Sequence, residues 1–539
     1  MSQSKLNDSP NFLIIIADDL GWSDLSPFGS EINTPNLQML ANNGIRFTDF
    51  HTSSTCSPTR SMLMSGTDNH IAGFGQMRET IALYPDIWLG KPGYEGYLNK
   101  RVAALPEILQ DAGYFTTMSG KWHLGSIPER FPVSRGFEES FALLSGGAIH
   151  YVTEILIPLL VPSYVHNFEP INYTLLENFY STDYFATQLI NNLKVNNAKS
   201  KKPFFAYLPF TAPHWPLQAP ADLIAKYKGM YDDGPTVLRE KRLAKQRQLG
   251  LLPDDAIVSP VYTNAKEWEK LTPTERAFSA KTMEIYAAMV ERIDFAIGRV
   301  IDYLKESNQF DNTFIMFMSD NGADGDSFIW YGPRWAQAST APSRMTKGHI
   351  TEGGIRSPAI VHYPKLGKTL NISHEFTTVM DILPTVLELA NISHPGTIFR
   401  NRTVVTPRGK SWDFIGWELF GQRAIRRGNY KAIFIPNQLN TAKWELYNLT
   451  QDKGEFNNLA DQQPDLLKEL VDAWFIYEAE TGVILPEDAW AIRYPPNIFG
   501  SLGNQNVTPP IEIGSIGVIN YINFYLYACA LVLYLSLSF

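Results

Sequence analysis

The sequence predicts an α/β protein with a large mixed, mainly parallel sheet flanked by helices, followed by a smaller C-terminal α+β domain carrying an antiparallel sheet. Three observations point there. Short, wholly apolar runs such as Phe12 to Ala17 read as strands buried on both faces. Amphipathic helical stretches separate these runs, which is the alternation of βαβ units. From about Ile398 onward the pattern shifts to short strands such as Tyr430 to Ile435 and Trp444 to Tyr447. At 539 residues the chain exceeds one ordinary domain. The reading is therefore a first domain over 1–397, a second over 398–500, and an apolar tail over 501–539.

Element by element, Phe12 to Ala17 opens the sheet. Pro35 to Asn43 reads as a helix, with Thr34 as N-cap and Pro35 at its first position. Tyr114 to Met118, Phe204 to Leu208, Thr313 to Met318 and Ala359 to His362 are the next strands. The clearest helix runs from Thr282 to Ser307. Ile285, Met289, Ile293, Ile297, Val300 and Leu304 form its stripe, and Glu291, Arg292, Asp302 and Lys305 lie outside it. Thr377 to Ala390 is a shorter helix that Pro384 either kinks or begins. Gly229 to Pro260 is polar and reads as an excursion from the sheet.

Composition narrows the function. The chain is 44% hydrophobic and carries a net charge of −9, so it is globular and offers no nucleic-acid surface. An anionic substrate remains compatible, because a local cationic pocket can sit on an acidic protein. Two cysteines, Cys56 and Cys529, exclude a disulfide scaffold and a cysteine-built zinc site. Met1 to Asn11 is short and polar and shows no entry signal, so a cytoplasmic location is expected and the sequons at Asn172, Asn371 and Asn448 carry no weight. Ile513 to Phe539 holds no charged residue, and Tyr521 to Phe539 is long enough for a marginal membrane span. Three readings stand for it: a tail anchor, a lipid-anchor signal, or a tail added by an altered reading frame.

The chemistry falls at strand ends, where open α/β sheets bind ligands. Asp18 and Asp19 follow the first strand and Asp320 and Asn321 another. Lys121 and His123 follow Tyr114 to Met118, and His214 lies just beyond Phe204 to Leu208. Oxygen donors of this kind suit Ca²⁺ or Mg²⁺. Singly, each has an ordinary reading: an aspartate after a strand is usually a cap or turn residue, a lone histidine is usually structural, and Lys347 alone is a solvated side chain. Their joint arrival is the signal.

The strongest local pattern is Cys56-Ser57-Pro58-Thr59-Arg60 continuing to Gly66. Pro58 fits the first turn of a helix, which places residue 56 at an N-terminus that favours negative charge. Arg60 would turn its guanidinium back towards residue 56. A plain cysteine there is expected to be an activated thiolate; the alternative is a buried structural cysteine beside a cap.

This stretch resembles the signature of the type I sulfatases, the formylglycine-dependent arylsulfatase branch of the alkaline phosphatase-like superfamily. The match covers Cys56, Pro58, Arg60, Leu63 and Gly66, with Ser65 where threonine is usual. Four further stretches are similar to the same family: Ala17 to Gly21, Gly120 to Gly125, Ser319 to Gly322, and Lys347 to Arg356. Trp444 to Leu459 is similar to its C-terminal signature.

The resemblance implies hydrolysis of aryl or alkyl sulfate esters by a hydrated formylglycine made from Cys56 by a maturation system. It implies one divalent cation, Ca²⁺ with Mg²⁺ as the alternative, held by Asp18, Asp19, Asp320, Asn321 and residue 56. Arg60, Lys121 and Lys347 would neutralise sulfate charge, His214 would protonate the leaving group, and His123 would act as base. Asp320 would be a second proton acceptor. Two alternatives stand: a formylglycine-dependent phosphonate or phosphate ester hydrolase, and an unmatured, non-catalytic metal-binding homologue. A two-zinc phosphatase would show more histidines after its strands than follow Asp320 here. The remaining histidines (His51, His70, His150, His166, His349, His362, His374 and His394) read as structural, His349 being the one placed to meet substrate. The aromatic-rich segment Phe137 to Tyr180 is either a pocket wall or ordinary packing.

Overall fold

The computed structural model describes residues 9–152, 162–325, 331–367, 371–407, 413–437 and 442–489. Ten strands form the main sheet. They are β1 (Asn11–Ala17), β2 (Ile45–Phe47), β3 (Phe115–Lys121), β4 (Glu139–Leu143), β5 (Tyr164–His166), β6 (Glu169–Ile171), β7 (Phe204–Pro209), β8 (Thr313–Ser319), β9 (Ala359–His362) and β10 (Ile372–Ser373). Their order is β10-β2-β9-β8-β1-β7-β3-β4-β5-β6. The central run β8-β1-β7-β3-β4 is wholly parallel. Antiparallel pairings enter only towards the edges, at β9 with β8 and β2, and at β5 with β4 and β6. This is the expected mixed, mainly parallel sheet.

Strand β1 shows why a continuous apolar run was required. Leu13, Ile15 and Ala17 enter one core, while Phe12, Ile14 and Ile16 enter the other, so helices cover both faces. The first face is packed by α1 (Pro35–Asn42), α3 (Ser181–Lys199) and α5 (Pro273–Glu306). The second receives Met62, Leu63 and Met64 of α2 (Cys56–Ser65).

Several elements differ from the sequence reading. Helix α5 begins at Pro273, nine residues before Thr282, because Thr272 and Glu275 form a capping box upstream of the apolar stripe. Thr34 precedes α1 but does not cap it. Its hydroxyl accepts from the Ser26 N–H at 3.0 Å, and Asp294 of α5 accepts from the Asn36 and Leu37 N–H groups at 3.1 and 2.8 Å. The strand expected at Tyr114 to Met118 runs to Lys121, so Lys121 ends the strand rather than following it. Residues 229–260 leave the sheet, as expected, and add no strand to it. They carry α4 (Pro235–Gln248), whose buried Arg242 pairs with Asp24 and with Glu31 at 2.9 Å. Pro384 lies in the first turn of Ile382–Leu389, where its missing N–H costs nothing.

The C-terminal sheet is antiparallel, in the order β11 (Ile415–Leu419), β12 (Gln422–Arg427), β13 (Tyr430–Phe434) and β14 (Glu445–Asn448). One face, with Ile425, Ala432 and Leu446, packs on Trp474 and Tyr477 of α6 (Pro464–Thr481). The other, with Trp417, Ala424, Ile433 and Tyr447, packs on Ile350 and Ile355 of the first unit. Among the described residues no helix is long and apolar enough to cross a membrane, and the apolar tail lies outside them.

Candidate active site

Four adjacent parallel strands, β8-β1-β7-β3, deliver their carboxyl ends to one place. Asp18 and Asp19 leave β1, Asp320 and Asn321 leave β8, Lys121 closes β3, and His214 follows β7. Asp19 adopts the left-handed backbone conformation (φ 65°), which turns it across the sheet end. There its N–H donates to Asp320 Oδ1 at 3.2 Å, and Asn321 Nδ2 donates to Asp19 Oδ1 at 2.7 Å. All these groups are buried.

Helix α2 begins at Cys56 itself, with Pro58 in its first turn, as expected. Cys56 Sγ lies 3.3 Å from Asp18 Oδ1 and 3.7 Å from Asp19 Oδ1. Arg60 turns back into the cluster that holds residue 56, and its bonds there go to Asp320 and Lys121. Nε and Nη2 donate to Asp320 Oδ2 at 3.0 and 2.7 Å, and Nη1 donates to the Lys121 carbonyl at 3.0 Å. Lys121 Nζ donates to Asp18 Oδ2 at 2.6 Å, and Lys347 Nζ to Asp19 Oδ2 at 2.7 Å. His214 Nε2 is 3.5 Å from Asp19 Oδ2. His123 stands to one side, with Nε2 3.3 Å from Glu79 Oε1.

The donor set fits a hard cation. Ligand atoms of Asp18, Asp19, Cys56 and Asp320 lie within 4.8 Å of one another. Asn321 Oδ1 is buried and has no hydrogen-bond partner, which is a costly state for an amide oxygen unless an ion takes its lone pairs. A second group, Asp49, His51 and Glu352, is also close enough for an ion. There the charge is already met: Arg426 and Lys453 pair with Asp49, and Lys431 pairs with Glu352.

Electrostatics correct one expectation. The Cys56 thiol is not activated: burial pushes it well above its ordinary range, and the carboxylates of Asp18 and Asp320 add to the shift. The helix terminus does not outweigh them. Burial also raises Asp18, to about 7, against Lys121. Burial would raise Asp19 too, but Lys347, His214 and Lys121 together hold it below the usual carboxylate range. Both histidines are pulled down by burial, opposed at His214 by Asp19 and at His123 by Glu79.

Sequence reasoning missed several neighbours. Asp324 holds Lys347 from the far side at 3.2 Å. A Cβ on Gly146 would come within 2.7 Å of His123 Cε1, and one on Gly147 within 3.0 Å of His214 Cε1. The Gly-Gly pair was the available signal for that close approach. Nothing in the local sequence marks Glu79 or Asp324. His150, read as structural, buttresses the site: its Nε2 donates to the His214 carbonyl at 3.0 Å. His349 is buried, with Nδ1 3.2 Å from the Thr346 carbonyl.

Comparison with known proteins agrees with this geometry. The model of the Sulfatase family matches residues 10–392. An uncharacterized sulfatase of Schizosaccharomyces pombe is 58% identical, with 89% of this chain and 95% of that protein covered. An arylsulfatase of Klebsiella aerogenes is 37% identical, over 71% of this chain and 87% of its own. Among solved structures, Ps i-CgsB in complex with k-i-k-neocarrahexaose shares the fold at a TM-score of 0.66 and 24% identity, covering 90% of this chain and 97% of that one. A phosphonate monoester hydrolase of Agrobacterium radiobacter shares it at a TM-score of 0.56 and 20% identity, over 88% and 96%. On the family match and these relatives, the chain belongs to the sulfatase family, on the alkaline phosphatase-like fold, and is a sulfuric ester hydrolase.

Proposed function

We propose that this sulfatase cleaves aryl and alkyl sulfates with a formylglycine formed at residue 56 by a maturation system and one divalent cation, Ca²⁺ being the expected ion. When present, the hydrated aldehyde supplies an oxygen nucleophile and the cation supplies Lewis-acid charge. The observation that carries this reading is the placing of buried Cys56 at a helix N-terminus, among three carboxylates and the unsatisfied oxygen of Asn321. The carboxylates and the amide oxygen suit an oxygen-binding ion, and Lys121, Lys347 and Arg60 beside them suit an anionic substrate.

The chain's own residues divide the remaining work. Asp18, Asp19, Asp320 and Asn321 would hold the cation. Lys121, at the end of β3, and Lys347, on a loop, neutralise charge on the sulfate oxygens. Arg60 adds its charge and fixes both Asp320 and the Lys121 main chain. Asp320 has Oδ2 engaged by Arg60 and Oδ1 by the Asp19 N–H, which holds its carboxylate in place beside Asp18 and Asp19 and supports its role as a ligand of the ion. His214 Nδ1 lies 2.7 Å from the Trp215 carbonyl, which only accepts, so Nδ1 carries a proton and Nε2 can protonate the departing alcohol only from the imidazolium, the form that Asp19 at 3.5 Å favours against burial. In a neutral His123 the Glu79 carboxylate holds the proton on Nε2 and leaves Nδ1 as the base.

The test is expression with a formylglycine-generating system, followed by mass analysis of the peptide containing residue 56 and an aryl sulfate assay beside Cys56→Ala. Conversion lowers the peptide mass by about one water. Turnover that requires the converted residue supports the proposal; equal turnover by the variant ends it.

A further inference from the structure

We propose that Trp215 is the specificity-determining side chain for the departing alcohol, giving the site an aromatic face that favours planar, uncharged leaving groups. The inference rests on His214 being the group that protonates that alcohol.

The imidazole of His214 is enclosed on most sides. Its Nδ1 is spent on the Trp215 carbonyl at 2.7 Å. The Gly147 main chain runs close to its Cε1 edge, where a Cβ would come within 3.0 Å. The indole of Trp215 stacks on the ring, with centroids 5.4 Å apart and planes 26° from parallel. Nε2 is the remaining polar edge, and it faces Asp19. An oxygen that takes a proton from Nε2 sits about 3 Å away. The carbon attached to that oxygen then falls beside the indole, which is only half-buried and offers apolar surface there.

The surrounding wall has the same character. His150 N–H donates to Gln218 Oε1 at 2.8 Å and its Nε2 to the His214 carbonyl at 3.0 Å, which ties segment 145–151 to segment 214–220. Neither segment contains Lys, Arg, Asp or Glu. These two segments can therefore offer the departing group stacking and apolar contact but no fixed charge of their own. Lys121, Lys347 and Arg60 all lie around the carboxylate cluster.

The test uses matured enzyme and two variants that keep bulk at this position, Trp215→Phe and Trp215→Leu. Each is assayed on nitrophenyl sulfate and on hexyl sulfate, with inorganic sulfate as competitive inhibitor. Trp215→Leu should lower kcat/KM for the aryl ester relative to the hexyl ester by about tenfold, the upper range for one aromatic pair. Trp215→Phe should retain most of the preference, and inhibition by inorganic sulfate should be unchanged in both. Equal loss on both esters, or weakened sulfate inhibition in parallel, would overturn the proposal and reduce Trp215 to packing under His214. His214→Ala separates the underlying reading: its loss should grow as the departing alcohol becomes more basic. A loss independent of the alcohol refutes the acid role of His214, whatever the Trp215 variants show.

Discussion

Replacing Lys431 by methionine should destabilise the protein through the contact that joins its two units. Lys431 lies in β13 with no exposed surface. Its Nζ donates to the Ile350 carbonyl and Glu352 Oε1, both at 2.9 Å, and to Glu455 Oε1 at 2.8 Å. Methionine is close in length and volume, so the variant opens little cavity; its penalty is two buried carboxylates that lose their shared cation. Breaking such a pair costs about 3–5 kcal/mol. Glu352 keeps His51 at 2.9 Å, and Glu455 keeps the Glu352 N–H at 2.9 Å, which points to the lower end. At a urea slope of about 3 kcal/mol per M, 3 kcal/mol moves the unfolding midpoint by about 1 M. The contact also bears on catalysis. Gln422 of the same sheet donates to the Gly348 carbonyl at 2.8 Å, so the sheet forms the floor under the loop that presents Lys347. The assay is urea unfolding read by fluorescence for wild type, Lys431→Met, Glu352→Gln and the double variant. The double variant should recover part of the sum, because one orphaned charge is gone. A midpoint shift below about 0.3 M, which is about 1 kcal/mol at that slope, would refute the reasoning; so would strict additivity of the two substitutions.

Other outcomes follow from the same geometry. Asn321→Ala removes the unsatisfied oxygen and should weaken Ca²⁺ binding, measured by calorimetry, by at least the 10–100-fold typical of residues one shell further out. Gly147→Ala pushes a methyl against His214 and should cut kcat/KM about tenfold or more while the thermal midpoint stays near wild type. Burial alone would lower the pKa of His70, but its hydrogen bonds to Asp68 and Glu418 reverse this and raise it to about 9. A folded value above the unfolded one, about 6.5, means that this stabilisation is complete below about pH 6.5 and is lost as pH rises through 9. Thermal midpoints between pH 7 and 10 should therefore fall more steeply for wild type than for His70→Gln.

What the sequence made legible was set by short-range physics. Buried parallel strands must be apolar on both faces, so β1, β7 and β8 stood out, and the residues at their carboxyl ends marked the site. Cys56 and Arg60 were found because a proline and an N-terminus lie within one turn. The partner that Arg60 meets there, Asp320, was not legible because it is distant in sequence. The same cause hid Asp294 as the cap of α1, Lys431 as the clamp between units, and Glu79 and Asp324 behind His123 and Lys347. The activated thiol was expected from the helix terminus, a local feature; burial and the carboxylates that reverse it come from the fold.

The central claim is that residue 56, once converted, is the nucleophile of a sulfate ester hydrolase. One experiment addresses it most directly: side-by-side turnover of an aryl sulfate and the matched phosphonate monoester by Ca²⁺-loaded protein whose conversion at residue 56 has been measured by mass. The account predicts sulfate turnover proportional to the converted fraction, abolished in Cys56→Ala, and exceeding turnover of the phosphonate. Sulfate turnover that does not track conversion, or a preference for the phosphonate, would contradict it.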